Sequence, residues 1–325
     1  MARLRILSAV LALLLPTTLV PALGLPTGPQ RAATLTLATW NLEWLVSPQT
    51  QLAARTLCRK GARARLPCDV ALDQARSTGD LAALARYARQ LDADIIALQE
   101  VENAATAALV FAGYDFCFTR RGEPQNVGFA IRKGIPHRCA PDVDALSLQD
   151  SLRRGAQLQL YPGSARELWL LSIHLKSGCA RDLLDSSRSA CRTLARQAPR
   201  LAEWIDTQVA AGRRYAVLGD FNRSLDPDSD DEAGGTLWQR LADGRPTDEQ
   251  LVNTAAGTPF VNCHVGQIFT GYIDYILLGG GLAARWNPKL IRRQVYASRD
   301  ARRYRLSDHC PISLTLHLHG ADFRQ

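Results

Sequence analysis

YAVLGDFNRS, residues 215–224, runs apolar through Leu218, reaches Gly219 and then presents Asp220 and Asn222. An apolar run of that length bounded by glycine reads as a buried strand. Two polar residues two positions apart in an extended chain face the same side, so Asp220 and Asn222 can serve one ligand. The same grammar recurs along the chain. LTLATW (35–40) runs into Asn41-Leu42-Glu43, DIIAL (94–98) into Gln99-Glu100, and ELWLLSIHL (167–175) carries His174 and stops at Lys176. YIDYILL (272–278) holds Asp274 inside an apolar run, and PISLTLHL (311–318) begins directly after Ser307-Asp308-His309. An Asp or Asn after a strand commonly serves as a turn residue or helix cap. Asp274 has no turn to serve, and charged groups are seldom buried unless paired or bound to metal. Taken together, the six segments describe one cleft.

Further strands are expected at VGFAIR (127–132) and AQLQLY (156–161). Residues 78–91 place Leu81, Leu84, Ala88 and Leu91 on one helical stripe, and a longer helical pattern covers 188–211, with Pro199 either kinking it or starting a second helix. Strands interspersed with helices imply a layered α/β or α+β domain, and no fixed-period repeat or long linker divides the chain. The acidic stretch DPDSDDEAGG, 226–235, reads as a surface turn. Counted from Asp226, its sixth position is Asp231 where a calcium loop needs Gly, and its twelfth is Leu237 where such a loop needs Glu.

With 325 residues, 46% of them hydrophobic, the chain can bury a core of one large domain. Residues 1–24 read as a secretory signal: Arg3 and Arg5, an apolar stretch from Ile6 to Leu15, and Ala22-Leu23-Gly24 as cleavage site. The apolar stretch is short for a membrane span and Pro16 interrupts it, so no stable anchor is expected after signal removal. A leader at 25–34, a domain at 35–318 and a tail at 319–325 complete the division, with a secreted or periplasmic destination. The eight cysteines fit an oxidising compartment, and the absence of Cys-x-x-Cys argues against a thiolate metal site. Pairing neighbours along the chain gives Cys58–Cys68, Cys117–Cys139, Cys179–Cys191 and Cys263–Cys310, one of the 105 pairings that eight cysteines allow. The chain carries 39 basic and 31 acidic residues; removing Arg3 and Arg5 with the signal leaves 37 against 31, a net of +6. Such a charge suits polyanions, nucleic acid or an acidic lipid surface, and equally a merely soluble cationic surface.

TWNLEWL, IIALQEVE, SIHLKSG, LGDFNRS, YIDYIL and LSDHCPI, in this order and at these separations, resemble the endonuclease/exonuclease/phosphatase superfamily that includes DNase I-like nucleases. The resemblance spans residues 35–318 and implies a four-layer α/β sandwich, two packed mixed β-sheets flanked by helices. It implies a secreted, metal-dependent phosphodiesterase, foremost a monomeric nuclease acting on DNA and also RNA by in-line attack of an activated water. A lipid-headgroup phosphodiesterase such as a sphingomyelinase, or a non-catalytic polyanion-binding relative, are the alternatives. By the same resemblance Glu100 is the Mg²⁺ ligand, with Mn²⁺ or Ca²⁺ as substitutes, assisted by Glu43 and Asp308, while Asn41 takes part in binding substrate. Asp220 orients or deprotonates the water, Asn222 donates to a phosphate oxygen, and Asp274 fixes the tautomer of His309. His174 is the stabiliser or general acid on the far side of the phosphate, with Glu123 as a candidate partner. Arg153 or Arg154 stands where such nucleases contact phosphate, and Lys176 adds charge.

Overall fold

The computed structural model describes residues 34–149, 152–225, 235–246, 251–264, 267, 271–286 and 291–318. The expected signal segment 1–24, nearly all of the leader and of the acidic stretch 226–235, and the tail 319–325 lie outside them. Twelve strands follow in chain order: β1 (Thr34–Leu45), β2 (Ile95–Val101), β3 (Tyr114–Phe118), β4 (Asn126–Arg132), β5 (His137–Val143), β6 (Gly155–Leu160), β7 (Leu168–His174), β8 (Tyr215–Asp220), β9 (Val252–Asn253), β10 (Asp274–Gly279), β11 (Arg292–Arg293) and β12 (Ile312–His317). They form two six-stranded mixed sheets, ordered β3-β4-β2-β1-β12-β11 and β5-β6-β7-β8-β10-β9. Each sheet has one parallel pair at its centre, β1 with β2 and β7 with β8, and its other pairings are antiparallel.

Period-two alternation sorts the side chains of each strand between two faces. Leu35, Leu37, Ile95, Ala97, Phe129, Leu158, Leu170, Leu218 and Ile276 meet in the layer between the sheets. The opposite faces take helices: Trp40, Ile96 and Leu98 pack with Leu84 and Ala88 of helix Thr78–Leu91, while Leu171, Ile173 and Val217 pack with Leu194, Leu201 and Ile205 of helix Ser189–Ala210. The result is the expected four-layer sandwich. Helix Ser189–Ala210 runs through Pro199, which forfeits one backbone bond without ending the helix.

The inward rows change character along their length. On β1 the inner row reads Leu35, Leu37, Thr39, Asn41; on β7 it reads Leu168, Leu170, Ser172, His174; on β8 it reads Ala216, Leu218, Asp220. Thr39 Oγ1 donates to Gln99 Oε1 at 3.2 Å, and Gln99 Nε2 to Ser172 Oγ at 3.3 Å. This fully buried polar floor crosses from one sheet to the other just beneath the strand ends that carry acids.

All four cysteine pairs expected from chain proximity are disulfides, with Cα separations of 5.5, 5.5, 5.0 and 5.3 Å in chain order. Cys117–Cys139 joins the outermost strands of the two sheets, β3 and β5. The sequence reading misses both strands: β3 carries the alternating row Tyr114, Phe116 and Phe118, partly buried against the core, in only five residues, while β5 is largely open to solvent and shows no apolar row.

Gly219 of β8 lies opposite Ile173 of β7. Its φ is +148°, and an added Cβ would sit 2.1 Å from the carbonyl oxygen of Ile173. Gly219→Ala is expected to lower unfolding free energy by about 2–4 kcal/mol in urea titration, the scale of a forced backbone clash. An unchanged midpoint would show that the two strands have room to part.

Candidate active site

The polar strand ends meet at one place because the parallel pairs of both sheets end toward the same side. From the first sheet come Asn41, where the pairing of β1 with β2 turns irregular, and Glu100 near the end of β2; from the second come His174, Asp220 and Asp274. Asn41 Nδ2 donates to Glu100 Oε1 at 3.2 Å and to Asp220 Oδ2 at 3.0 Å. One amide therefore holds a carboxylate from each sheet. Glu100 takes a left-handed backbone, φ +58°, where β2 departs from regular pairing, and its Oε2 accepts the Trp44 amide at 3.2 Å. Asn222 is also left-handed, φ +55°; its amide donates to Asp220 Oδ1 at 2.7 Å and its Nδ2 to the Leu175 carbonyl at 3.1 Å. Non-glycine residues in this region cost free energy and concentrate at functional sites.

Asp220, Asp274 and His309 offer atoms that all lie within 4.8 Å of one another, at exposures of 1, 4 and 8%. Burial pushes the Asp220 carboxyl up, and the neighbouring Asp274 carboxylate pushes it further, to about 7, against the opposing pull of His309. His309 Nδ1 bonds Asp274 Oδ2 at 2.7 Å. Burial alone would favour its neutral form, but the charges of Asp274, Asp220 and Asp308 prevail and hold the imidazole well above its ordinary range. The other imidazole goes the opposite way: burial, then the Arg153 charge, hold His174 well below the ordinary range. His174 Nε2 stands 3.5 Å from Asp220 Oδ2 and 3.7 Å from Glu100 Oε1, while its buried Nδ1 has no hydrogen-bond partner among the described residues.

The segment carrying His309 is latched from several sides. Ser307 Oγ donates to the Asn41 carbonyl at 2.7 Å, Tyr296 Oη donates to the His309 carbonyl at 2.6 Å, and Cys310 is tied to Cys263. Arg76, its side chain 5% exposed, donates to the carbonyls of Glu43, Arg305 and Leu306 at 2.8, 3.2 and 2.7 Å. Glu43, expected beside the metal, instead accepts from Arg305 at 3.1 Å and from the Asp308 amide at 3.1 Å, with Arg76 at 3.7 Å. Asp308 Oδ1 lies 3.8 Å from His309 Nε2, its side chain 47% exposed.

Of the expected cations, Arg153 borders the cluster. It donates to the carbonyls of His174 and Leu175 at 2.9 and 2.5 Å; burial lowers its guanidinium to about 10, with Glu100 and Asp220 opposing, so it stays charged at neutral pH. Arg154 turns away to Asp144 at 3.2 Å. Lys176 Nζ donates to the Ser177 carbonyl at 2.8 Å, and the nearby Arg153 charge adds to burial in lowering its pKa. Glu123 does not partner His174, whose nearest carboxylates are Asp220 and Glu100. Sequence reasoning missed Arg76 and Arg121. Arg121 acts electrostatically on both Arg153 and His174, yet it sits in a loop with no periodic pattern to mark it.

The donor set tests the implied cation. Among the described residues the close group of possible ligands is Asp220, Asp274 and His309, two of them hard oxygen donors, and buried Asp274 Oδ1 has no hydrogen-bond partner among those residues. Such a set fits a hard divalent ion and does not suit a soft one.

Residues 38–309 match the sequence profile described as the Endonuclease/Exonuclease/phosphatase family. No curated protein sequence matches the chain. Among solved structures, TDP2 of Caenorhabditis elegans superposes with a TM-score of 0.56 at 16% identity, over 87% of this chain and 75% of that one. The AP endonuclease LMAP of Leishmania major gives 0.53 at 17%, over 88% of each chain. An AP endonuclease of Archaeoglobus fulgidus gives 0.54 at 15%, over 87% and 99%. At such identities the superpositions speak for the sandwich, and the profile, which spans most of the chain and both ends of the acid cluster, speaks for descent: the chain belongs to the endonuclease/exonuclease/phosphatase family, hydrolases of phosphodiester bonds.

Proposed function

We propose that the chain is an exported, divalent-metal-dependent nuclease that hydrolyses DNA, with RNA as a second substrate. The observation that carries this reading is the pairing of a charged His309 with a buried base, Asp220, across a cluster of oxygen donors. A phosphodiester needs its charge offset, a water aimed in line and a stabilised leaving oxygen. Asp220, pushed up to about 7, is matched to neutral pH as a general base. It takes a proton from water as the water oxygen bonds to phosphorus. The ester bond to the leaving oxygen breaks, and the protonated His309, oriented by Asp274, faces the developing charge. His174, held neutral, donates a hydrogen bond to a phosphoryl oxygen, and Asn222 steadies Asp220 through its amide. Glu100 and Asp308 would hold a divalent cation such as Mg²⁺, which supplies positive charge to the phosphate. Glu43, engaged by Arg76 and Arg305, positions Asp308 through its amide.

Nucleic acid is favoured over a lipid headgroup by the surface. Membrane-docking enzymes present clustered aromatic side chains; among the described residues the exposed large apolar side chains are Leu and Val only, the most open being Leu52 at 67%. Of the solved relatives, the 3′ phosphatase NExo of Neisseria holds a product DNA hairpin. Export is supported by the four disulfides, and among the described residues no helix is long and apolar enough to cross a membrane.

Purified protein is expected to cleave plasmid DNA with Mg²⁺ and to stop on adding EDTA, without choline release from sphingomyelin vesicles. In the same assay His309→Ala and Asp220→Asn lose at least about a hundredfold in rate while staying folded. Full activity in either variant, or in EDTA, would contradict the proposed roles.

The pH dependence has a fixed sign. Asp220 must be ionised to accept a proton, so log(kcat/KM) is expected to fall toward slope 1 as pH drops below about 7, while His309 stays charged through the neutral range. A rate independent of pH between about 5.5 and 8.5 would rule out Asp220 as the base.

A further inference from the structure

The segment that joins β1 to helix Thr78–Leu91 builds a cavity of its own. After Asn41 the chain passes Trp44 and Val46 into helix Pro48–Arg59, and a second short helix, Cys68–Asp73, follows. The Cys58–Cys68 bond ties the two helices, and Gln51 Nε2 donates across to the carbonyls of Val70 and Ala71 at 3.1 and 2.8 Å. Between this unit and Arg76 lies a cavity of about 200 Å³, walled by Trp44, Val46, Leu52, Arg55 and Gln74. Its lining comes entirely from residues 44–81, inside the continuously described stretch 34–149.

Arg76 is committed to the catalytic side, donating to the carbonyls of Glu43, Arg305 and Leu306. Arg55 and Gln74 are not committed. Among the described residues neither side chain has an ion pair or a hydrogen bond, and Arg55 Nε and Gln74 Oε1 are sealed from water, whereas the outer nitrogens of Arg55 are not. Sealed polar atoms without partners cost free energy and are uncommon in folded proteins. A donor and an acceptor left so at one cavity suit a guest that brings the complementary pair. Half-buried Trp44 adds a planar indole to the wall, and Leu52, 67% exposed, an apolar edge.

The volume falls below the roughly 300–1,000 Å³ of pockets that take larger organic ligands, so a single planar ring system is what it admits. A nucleobase joins a flat face, which stacks on aromatic side chains, to an edge of donors and acceptors. Guanine alone among the DNA bases pairs two acceptors, O6 and N7, which an arginine fork addresses, with N–H donors for an amide oxygen. The cavity adjoins the cleft, because the backbone amide of Trp44, at φ +56°, donates to Glu100 Oε2 at 3.2 Å.

We propose that this cavity receives an unpaired guanine of the bound strand: Trp44 stacks on its face, Arg55 donates to O6 and N7, and Gln74 Oε1 accepts from its N–H edge. The inference rests on the nucleic-acid reading above and adds a base preference to it. Arg55 and Gln74 touch no reacting atom; they select the base that lies beside the cleaved bond.

Fluorescence anisotropy in EDTA reads binding to the full chain without cleavage. The probes are labelled thymidine strands of about ten nucleotides, within the span of one single-strand site, either plain or with one central guanine, adenine or 7-deazaguanine. The guanine strand is expected to bind about tenfold more tightly than the plain or adenine strand, the scale of one bidentate base contact. 7-Deazaguanine, which lacks the N7 acceptor, is expected to lose most of that preference. R55K keeps the charge without the fork, and Q74L keeps the bulk without the acceptor; each is expected to reduce the preference to about twofold or less, with the circular dichroism of the parent. Equal affinity for the guanine and plain strands, or the parent's preference retained in R55K, would overturn the proposal. So would dGMP binding as tightly as the guanine strand, since the cavity would then serve a free nucleotide. Plasmid cleavage in Mg²⁺ judges the nuclease reading separately: a guanine preference without cleavage would sink that reading and keep the cavity's role, and cleavage without the preference would do the reverse.

Discussion

The amide of Asn41 is fully buried and donates to Glu100 from the first sheet and to Asp220 from the second. Two sheets packed through apolar faces have no reason to carry acids at their seam, and each buried charge costs several kcal/mol unless offset. Much of the remaining architecture near the cleft answers that cost. His309 supplies one positive charge, Arg153 another behind His174, and Arg76 and Arg305 surround Glu43. The floor of Thr39, Gln99 and Ser172 grades the interior from apolar to ionic, so the acids rest on bonded polar groups instead of on leucine.

Backbone irregularity belongs to the same solution. β2 carries Glu100 with a left-handed turn, β1 ends through two left-handed residues, Glu43 and Trp44, and β8 passes β7 only because residue 219 lacks a side chain. These departures let side chains converge that regular strands would alternate to opposite faces. The Cys263–Cys310 bond and the bonds from Ser307, Tyr296 and Arg76 fix the one site segment that precedes its strand, which is why His309 can meet Asp274 with a short hydrogen bond.

Much of this was legible in the residues. The apolar runs ending in polar residues placed Glu100, His174 and Asp220 at strand ends and Asn41 late in its strand, because period-two alternation is written locally, whereas Asp274, read as lying inside the run 272–278, is the first residue of β10. What stayed hidden depends on distant pairing. Nothing near Glu43 announces that Arg76 and Arg305 will engage its carboxylate, since Arg305 lies 262 positions away. Gln99 reads as a neighbour of Glu100 until β7 brings Ser172 against it. Chain proximity did recover the disulfides, three of them closing loops of 10, 22 and 12 residues, whereas β5 has too little burial to leave a pattern and the alternating aromatics of β3 span only five residues.

The central claim is that acids from both sheets share one buried site and keep His309 charged within it. Nitrogen-15 NMR of the His309 ring across a pH titration tests this most directly. A midpoint well above that of a free imidazole, about 6.5, is predicted, falling toward or below that value in Asp274→Asn. A parent midpoint at or below about 6.5 would contradict the account, because burial would then outweigh the carboxylates around the ring.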